Sequence, residues 1–481
     1  MCAALERKHQ EVVDWLREHA VPRAECRSKV LSSAVKAGNL EIVKWLCEDY
    51  DMDAKDLLKF ANGCCQWETA RWIIERYDMH GGALDMYFPA RHGELPFLKF
   101  MISRGMGDLH IGTLMTAAAN GHLEVVKWLH CNRRVKLSVD VTREAAQNGH
   151  LEVVQWLFEA SGGVCDSDVF VRAAEYGRLS VIQWLQTRWS GRCGVTAMDW
   201  AARGGHLDVV KWLHANRADG CSEKAMDEAA VNGHLDVVKW LHENRSEGCT
   251  RLAMDGAAGA GHLEVVKWLH AHRSEGCSTI AMNRAACNGY FDVVKWLHVN
   301  RREGCTTLSM DLAARNGHLE IVKWLHDHRS EGCTSSAMDK AARYGHLEVV
   351  KWLHTHRTEG CTTYAIDKAA SSGHLAIVKW LHENRSEGCS SVAMTHAIVH
   401  KHFDVVLFLH LHRKQEFLLP VNTTLRLPLE LQQWLLAHYA DELSGCRFEV
   451  PALDWRASDY LRLPERLPPQ PQLNYNFTWW E

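Results

Sequence analysis

Histidine and cysteine are the residues of this sequence with the greatest capacity for chemistry, because its 481 residues include 30 histidines and 17 cysteines. Both are zinc ligands, and cysteine pairs also form disulfides. Nine of the cysteines recur at an interval of 28 residues: Cys165, Cys193, Cys221, Cys249, Cys277, Cys305, Cys333, Cys361 and Cys389. Nine histidines follow a Trp-Leu pair or, once, a Phe-Leu pair: His130, His214, His242, His270, His298, His326, His354, His382 and His410.

The spacing of these residues argues against a metal centre or a disulfide framework. Equivalent atoms in successive copies of a stacked helical repeat lie about 10 Å apart, which exceeds the reach of a disulfide and of a zinc site. Histidines eight residues apart on one helix, such as His262 and His270, are separated by about 12 Å. We therefore predict no metal site. The cysteines should be small buried turn residues, and the histidines a structural ladder whose charging destabilises the protein between about pH 7 and 5.

Motifs typical of catalysis are missing from the sequence, which has no glycine-rich phosphate loop, nucleophile elbow or HExxH. We therefore predict a non-enzymatic protein with no catalytic residues, no cofactor and no small-molecule substrate. A net charge of -4 gives no general attraction to nucleic acid or membranes. No apolar run approaches the length of a membrane span, and no secretory signal is recognisable. We expect an intracellular protein, cytoplasmic or nuclear, with reduced thiols.

These residues belong to an internal repeat that is marked by the tryptophan of a Lys-Trp-Leu sequence. The marker recurs in steps of 28 residues from Trp72 to the equivalent Phe408, and Trp15 and Trp45 extend the series upstream at looser spacing. The series makes about fifteen copies. Such constant spacing predicts one supersecondary element stacked on copies of itself, which is a solenoid.

One repeat, read from Cys249, predicts two helices joined by a tight turn. Thr250 suits an N-cap, and Ala253, Met254, Ala257 and Ala258 follow at helical spacing. Gly261 should end this first helix with a positive φ. In the second helix, Leu263, Val266 and Leu269 should form the main core stripe, with Val265 and Trp268 beside it. Gly276 should stop the second helix, with Cys277 as an apolar contact of its cap.

The repeat "AMDxAAxxGHLEVVKWL" resembles the ankyrin repeat pattern "TPLHxAAxxGHLEVVKLLL". The resemblance covers roughly residues 5–413 and is strong over 112–413. It implies an all-α solenoid that binds other proteins. Two features depart from the family pattern: Ala-Met-Asp stands in place of Thr-Pro-Leu-His, and the period is 28 residues instead of 33. The missing five residues should come from the β-hairpin finger, so binding modes that use fingers are not expected here.

The candidate binding residues lie on the first helices, at positions that vary between repeats while the core positions do not. The third, seventh and tenth places after the cysteine fall on one stripe opposite the alanines. Either these places vary because nothing restrains them, or they form a recognition face with aromatic anchors and a basic run suited to an acidic partner. The predicted partner-binding residues are Trp200, Arg203, Arg284, Leu312, Arg315, Lys340, Arg343, Tyr344, Tyr364 and Lys368.

The two ends of the chain differ from the regular repeats. We expect a partial or capping repeat over 1–31, degenerate repeats over 32–111, regular repeats over 112–413 and a capping helix with a Pro-rich tail over 414–481. The segment 425–443 reads as one amphipathic helix. Its "LPLELQQWLL" loosely resembles the start of an F-box and the end of a SOCS box, two families that recruit cullin ubiquitin-ligase adaptors.

The sequence therefore favours an all-α solenoid that acts as a monomeric, non-enzymatic scaffold. Its expected partners are proteins, bound along the outer face of the first helices. The alternative is a substrate receptor of a cullin-type ubiquitin ligase, in which the segment 425–443 would recruit the adaptor and the repeats would select the substrate.

Overall fold

A computed structural model describes most of the chain as two compact units, Met1–Ala281 and Met282–Glu481. It covers residues 1–412 apart from gaps at 8, 20–25, 50–53, 83, 108, 134–136, 164 and 190. Beyond residue 412 it describes 424–425, 427, 429–440, 443 and 446–448. The segment that the sequence predicts to be a Pro-rich tail lies largely outside the described residues.

The first compact unit consists of helices that alternate between a first and a second helix of each repeat. They are α1 (Cys2–Glu6), α2 (Gln10–His19), α3 (Arg27–Ala37), α4 (Leu40–Asp49), α5 (Ala54–Gly63), α6 (Trp67–Arg76), α7 (Tyr87–Arg91), α8 (Leu95–Ser103), α9 (Ile111–Ala119), α10 (Leu123–Arg133), α11 (Val139–Asn148), α12 (Leu151–Ala160), α13 (Ser167–Glu175), α14 (Leu179–Arg188), α15 (Thr196–Arg203), α16 (Leu207–Asn216), α17 (Glu223–Val231), α18 (Leu235–Asn244), α19 (Arg251–Ala260) and α20 (Leu263–His272). Helix α21 (Thr279–Cys287) includes the boundary between the two units.

The second compact unit continues the alternation and adds two short strands. Its elements are α22 (Phe291–Asn300), α23 (Leu308–Arg315), α24 (Leu319–His328), α25 (Ser335–Arg343), α26 (Leu347–His356), α27 (Thr363–Ser371), α28 (Leu375–Asn384), α29 (Ser391–Val399), α30 (Phe403–His412), β1 (Thr424–Leu425), α31 (Leu429–His438) and β2 (Arg447–Phe448). The helices α1 to α30 make fifteen pairs, which confirms the predicted number of repeats.

The repeat that begins at Cys249 confirms the predicted helix, turn and helix. The Thr250 hydroxyl accepts a hydrogen bond from the Leu252 backbone N–H at 3.1 Å, which makes Thr250 the N-cap of α19. Gly261 ends this helix with a φ of 83°. A residue with a side chain is strained in this left-handed conformation, so a glycine stands at the turn.

Small residues of the first helix and branched residues of the second helix form the core. Ala257 and Ala258 are fully buried in α19, as the spacing predicts. In α20 the buried residues are Val265, Val266 and Leu269, whereas Leu263 is only half-buried. The prediction of Leu263 as a main core residue is wrong, because Leu263 is the first residue of the helix and lies at its rim. Burial of short side chains lets the helices approach closely.

The second helix ends earlier than the sequence predicts. Helix α20 stops at His272, and Arg273 leaves the helix with an extended φ of -126°. Gly276, predicted to stop the helix, instead lies in the connection, where its φ of 72° turns the chain towards Cys277. Arg273 bonds to Glu275 through two guanidinium nitrogens, and this pair holds the connection that replaces a β-hairpin finger.

Equivalent helices of neighbouring repeats pack on each other within each compact unit. In the first unit α17 packs against α15 and α19, and in the second unit α25 packs against α23 and α27. The second helices form a parallel layer, in which α16 contacts α18 and α24 contacts α26. The fold is an all-α solenoid of helix–turn–helix repeats. None of the helices in the described ranges combines the length and apolar character that crossing a membrane requires.

Helix α31 lies against the last repeat and is shorter than the predicted helix over 425–443. Leu431 and Leu435 are buried, and the Trp434 ring contacts the His410 ring edge-to-face at 5.0 Å. His438 lies outside this buried face, because it is exposed and stacks on Trp434 at 4.5 Å. Strands β1 and β2 on either side of α31 pair in parallel.

Candidate protein-binding surface

An aspartate at the sixth place after the cysteine, buried or half-buried, joins several first helices to the next. Asp339 of α25 accepts hydrogen bonds at 2.8 Å from both the backbone N–H and the hydroxyl of Thr362, the N-cap of α27. The same contact, which we call the aspartate–cap contact, recurs in pairs 23 residues apart. These pairs are Asp199–Ser222, Asp227–Thr250, Asp255–Ser278, Asp311–Thr334, Asp339–Thr362 and Asp367–Ser390. This role was not predicted from the sequence, although a recurring acid 23 residues before a recurring Ser or Thr was its signal.

Burial has an electrostatic cost at two of these aspartates. Desolvation raises the pKa of Asp311 and of Asp339, and the hydrogen bonds from Thr334 and Thr362 offset this shift only in part. An asparagine performs the same role at Asn283, which binds the Thr306 backbone N–H at 3.0 Å and the Thr306 hydroxyl at 2.9 Å. The contact therefore depends on side-chain shape and hydrogen bonds more than on charge.

The histidine before each second helix packs on the turn of the preceding repeat. His150 donates from Nε2 to the Ala119 carbonyl at 3.0 Å, and a Cβ on Gly121 would lie 2.5 Å from the His150 ring. The same close approach recurs between Gly345 and His374. These imidazoles are half-buried and bound to backbone, which supports a structural role.

The histidine after each Trp-Leu pair belongs to a second contact between repeats. His326 lies edge-to-face on Trp352 at 5.3 Å and accepts a hydrogen bond from the Arg357 guanidinium at 3.4 Å through Nδ1. An imidazole that accepts at Nδ1 must be unprotonated there. Burial likewise lowers the pKa of His298 and His346, which favours the neutral ladder expected from the sequence.

The recurring cysteines lie in the turns between repeats, beneath the arginine of the next second helix. Cys249 is buried, and desolvation raises the pKa of its thiol to about 11. Of the nine, only Cys165 is half-buried rather than buried. A protonated, shielded thiol is a poor nucleophile and a poor metal ligand. Within the described ranges, no group of three or more His, Cys, Asp or Glu side chains could hold a metal ion.

The variable stripe of the first helices lies partly in the seam between neighbouring repeats. The seventh place is half-buried at Leu312, Lys340 and Lys368, so it does not point straight outward as the spacing predicts. In α19 the stripe closes at Gly256, because a Cβ there would lie 2.3 Å from the Val231 side chain of α17. The outward positions include the third place, which is exposed at Leu252, Ile280, Leu308 and Tyr364, and the helix end, which is exposed at Arg343 and Tyr344.

In the first compact unit two of the predicted binding residues form a small cluster. The Arg203 guanidinium lies over the Trp200 ring at 4.6 Å, and its Nε is 3.8 Å from a carboxylate oxygen of Glu228. Arg203 is exposed and Trp200 is half-buried. The acid of α17 thus partly neutralises the only basic group of the stripe in α15.

In the second compact unit five of the predicted residues form one connected surface, the Tyr344–Tyr364 cluster. Arg315 and Arg343 lie over the Tyr344 ring at 5.0 and 5.3 Å. Arg343 also donates to the Tyr364 hydroxyl at 3.1 Å, and Lys368 lies over the Tyr364 ring at 5.2 Å. The three further predicted residues of this unit lie on the same layer of first helices outside the cluster: Arg284 is exposed, and Leu312 and Lys340 are half-buried.

The maize pentatricopeptide repeat protein PPR10 is similar in structure at 11% identity and a TM-score of 0.29, with 85% of this chain and 71% of that chain covered. The same protein in complex with an 18-nt psaJ RNA element gives 8% identity and a TM-score of 0.28, covering 85% and 72%. Scores this low support no conclusion about this chain.

A search of the curated proteins finds no match to the sequence. Family models for ankyrin repeats do match. A three-copy model matches residues 254–339, 282–363 and 338–418, and a many-copy model matches 114–158, 170–214, 198–242 and 226–270. Together the matches cover more than half of the chain, and the repeats that they cover have the helix pairs described above. The chain belongs to the ankyrin repeat family.

Proposed function

We propose that this protein is a non-enzymatic scaffold that binds a protein partner along the outer face of its first helices. Membership of the ankyrin repeat family indicates a protein-interaction scaffold. The residues proposed to contact the partner are Trp200, Arg203, Arg284, Leu312, Arg315, Lys340, Arg343, Tyr344, Tyr364 and Lys368.

The observation that carries this proposal is the contrast between constant and variable positions. The constant aspartates, histidines and arginines are bound to neighbouring repeats. The variable positions instead include exposed side chains, with Tyr364 near the start of α27 and Arg343 and Tyr344 at the end of α25. Tyrosine and arginine are enriched among the residues that dominate binding energy in protein interfaces.

Capture from cell extract with matched variants of the immobilised full-length protein tests this proposal. The pair Arg343→Ser and Tyr344→Ser removes exposed contacts at the end of α25. The control pair Glu348→Ser and Lys351→Ser changes exposed residues of α26 in the same repeat. We expect the first pair to lose protein partners that the control pair retains. Equal capture by both pairs would rule out binding at this face.

For the segment 425–443 we propose a capping role and not adaptor recruitment. Leu427, Leu431 and Leu435, three of the five leucines of the box-like pattern, are buried in the protein interior. Trp434 contacts Phe403 and His410 of α30, just as the tryptophan of each repeat contacts its predecessor. Solenoids need such terminal elements because their last apolar face has no following repeat.

A comparison of the full chain with one that ends at Arg413 separates these two roles. If the segment is a cap, no cullin adaptor is captured by either chain, and the shorter chain has a lower melting temperature. Adaptor captured by the full chain alone would instead make the protein a ubiquitin-ligase substrate receptor. The exposed pair Leu429→Ser and Leu436→Ser should leave capture and stability unchanged if the segment is a cap.

A further inference from the structure

The basic side chains of three consecutive first helices are half-buried or exposed, whereas the acidic ones are buried. Helices α23, α25 and α27 contain three acids, and each acid is buried in an aspartate–cap contact: Asp311 with Thr334, Asp339 with Thr362 and Asp367 with Ser390. The remaining charged residues of these helices are Arg315, Lys340, Arg343 and Lys368. The carboxylates accept hydrogen bonds inside the protein, and Lys340 interacts electrostatically with Asp311 and Asp339. Since the four basic groups outnumber the three acids, the outer face of these helices carries a small excess of positive charge.

The hydrogen bonds inside the Tyr344–Tyr364 cluster leave it with donors on its surface. The Tyr344 hydroxyl oxygen accepts from Arg315 at 3.2 Å, and the Tyr364 hydroxyl oxygen accepts from Arg343 at 3.1 Å. Each phenol therefore keeps its O–H to donate, and each guanidinium keeps N–H groups beyond the one it uses. A ligand that satisfies this surface must supply acceptors, and charged acceptors form the strongest bonds with it.

We propose that the Tyr344–Tyr364 cluster binds an acidic segment of a partner protein through the carboxylates of its Asp and Glu side chains. This inference rests on the proposed function and names the chemistry of the partner. Neighbouring first helices lie about 8–10 Å apart. An extended peptide rises about 3.3 Å per residue, so carboxylates at every third position match successive repeats.

The arrangement of the rings favours an acidic peptide over a nucleic acid. Nucleic-acid surfaces present aromatic faces on which bases stack, but two guanidinium groups lie over the Tyr344 ring and an ammonium group lies over the Tyr364 ring. The basic patch also ends with α27, since the next first helix, α29, contains no lysine or arginine. A continuous basic track along the strand is therefore not provided.

Fluorescence anisotropy with the full-length protein tests the inference. The probe is a short labelled peptide with Glu at every third position, and its control has Gln at the same positions. The variant Arg315→Gln with Arg343→Gln changes the cluster. Its matched control, Lys323→Gln with Lys351→Gln, removes the same charge from the second helices of the same repeats. Circular dichroism checks that both variants are folded.

We expect the Glu peptide to bind more tightly than the Gln peptide and to weaken with added salt. The cluster variant should weaken binding by about tenfold or more, because charge-assisted hydrogen bonds are lost. The control variant should change it by less than about twofold. Equal binding of the two peptides, or equal effects of the two variants, would overturn the inference.

Two further outcomes are decisive. A single-stranded RNA of the same charge that binds more tightly than the Glu peptide, and that the cluster variant releases, would make the cluster a nucleic-acid site. If the Glu peptide fails to bind while Arg343→Ser with Tyr344→Ser still removes a captured protein, the acidic ligand is wrong and the proposed function stands.

Discussion

At the scale of single residues, side chains that recur from repeat to repeat bind neighbouring repeats, whereas several side chains that differ between repeats are exposed. The cap role of Thr250 could be predicted because a hydroxyl before a helical pattern is a local signal. The role of Asp339 could not, because its partner Thr362 lies 23 residues away in the next repeat. Sequence periodicity predicts which side of a helix is buried, but it does not predict which atoms of neighbouring repeats contact each other.

The aspartate–cap contact should contribute to stability through its hydrogen bonds. Asp339→Ala leaves the Thr362 backbone N–H without its partner, and we expect it to lower the free energy of unfolding by about 1–3 kcal/mol. Asp339→Asn should be neutral or mildly stabilising, because Asn283 already makes this contact and because burial raises the pKa of Asp339. Urea unfolding of both variants measures this. Equal losses for Ala and Asn would show that the charge itself matters.

The histidines should make stability depend on pH. Burial lowers the pKa of His298, His346 and His396 in the folded state, whereas unfolded histidine titrates near about 6.5. Below that pH the unfolded chain binds more protons, so stability is complete above about pH 7 and falls as the pH drops towards 5. Melting temperatures over this range measure the effect, and His346→Gln should reduce the slope. A flat profile would contradict the buried neutral ladder.

At the scale of helices, local signals predicted where the first helix begins and ends. The prediction that Gly261 ends the first helix is confirmed, because the need for a left-handed residue at a helix end can be read from the local sequence. The prediction that Gly276 stops the second helix is wrong, because Arg273 already leaves the helix. Arg273 is bound to Glu275 and lies beneath Gly248 of the preceding turn. The end of the second helix is thus set by a contact between repeats, which the pattern of one repeat does not contain.

The joint between α13 and α15 lacks the aspartate–cap contact and should open more readily than the joint between α15 and α17. Val171 stands at the place of the aspartate in α13, and Val195 begins α15 without a side-chain cap bond. We expect the backbone amides of Ala197 and Met198 to exchange with deuterium about fivefold or more faster than those of the capped α17. Amide exchange followed by NMR or mass spectrometry measures the ratio. Equal protection of α15 and α17 would show that the contact does not hold the helix starts.

At the scale of the whole molecule, the repeat itself was the most informative feature of the sequence. Its 28-residue period predicted about fifteen helix pairs, because the core of each repeat is buried only by its neighbours. The resemblance of its repeated motif to the ankyrin pattern predicted the family. The surface was harder to predict. The pattern placed Leu312, Lys340 and Lys368 on an outer stripe, but close packing of neighbouring first helices half-buries them. Which variable residues remain exposed depends on side chains in the adjacent repeat.

The central claim is that protein partners bind the outer face of the first helices. Position-resolved photo-cross-linking tests it most directly. A photo-reactive phenylalanine analogue would replace Tyr344 or Tyr364 on the first-helix face, or Lys351 on the second helix of the same repeat. After irradiation in cell extract, we predict adducts with the same protein at the first two positions and none at the third. Adducts at position 351 without adducts at 344 and 364 would contradict the claim.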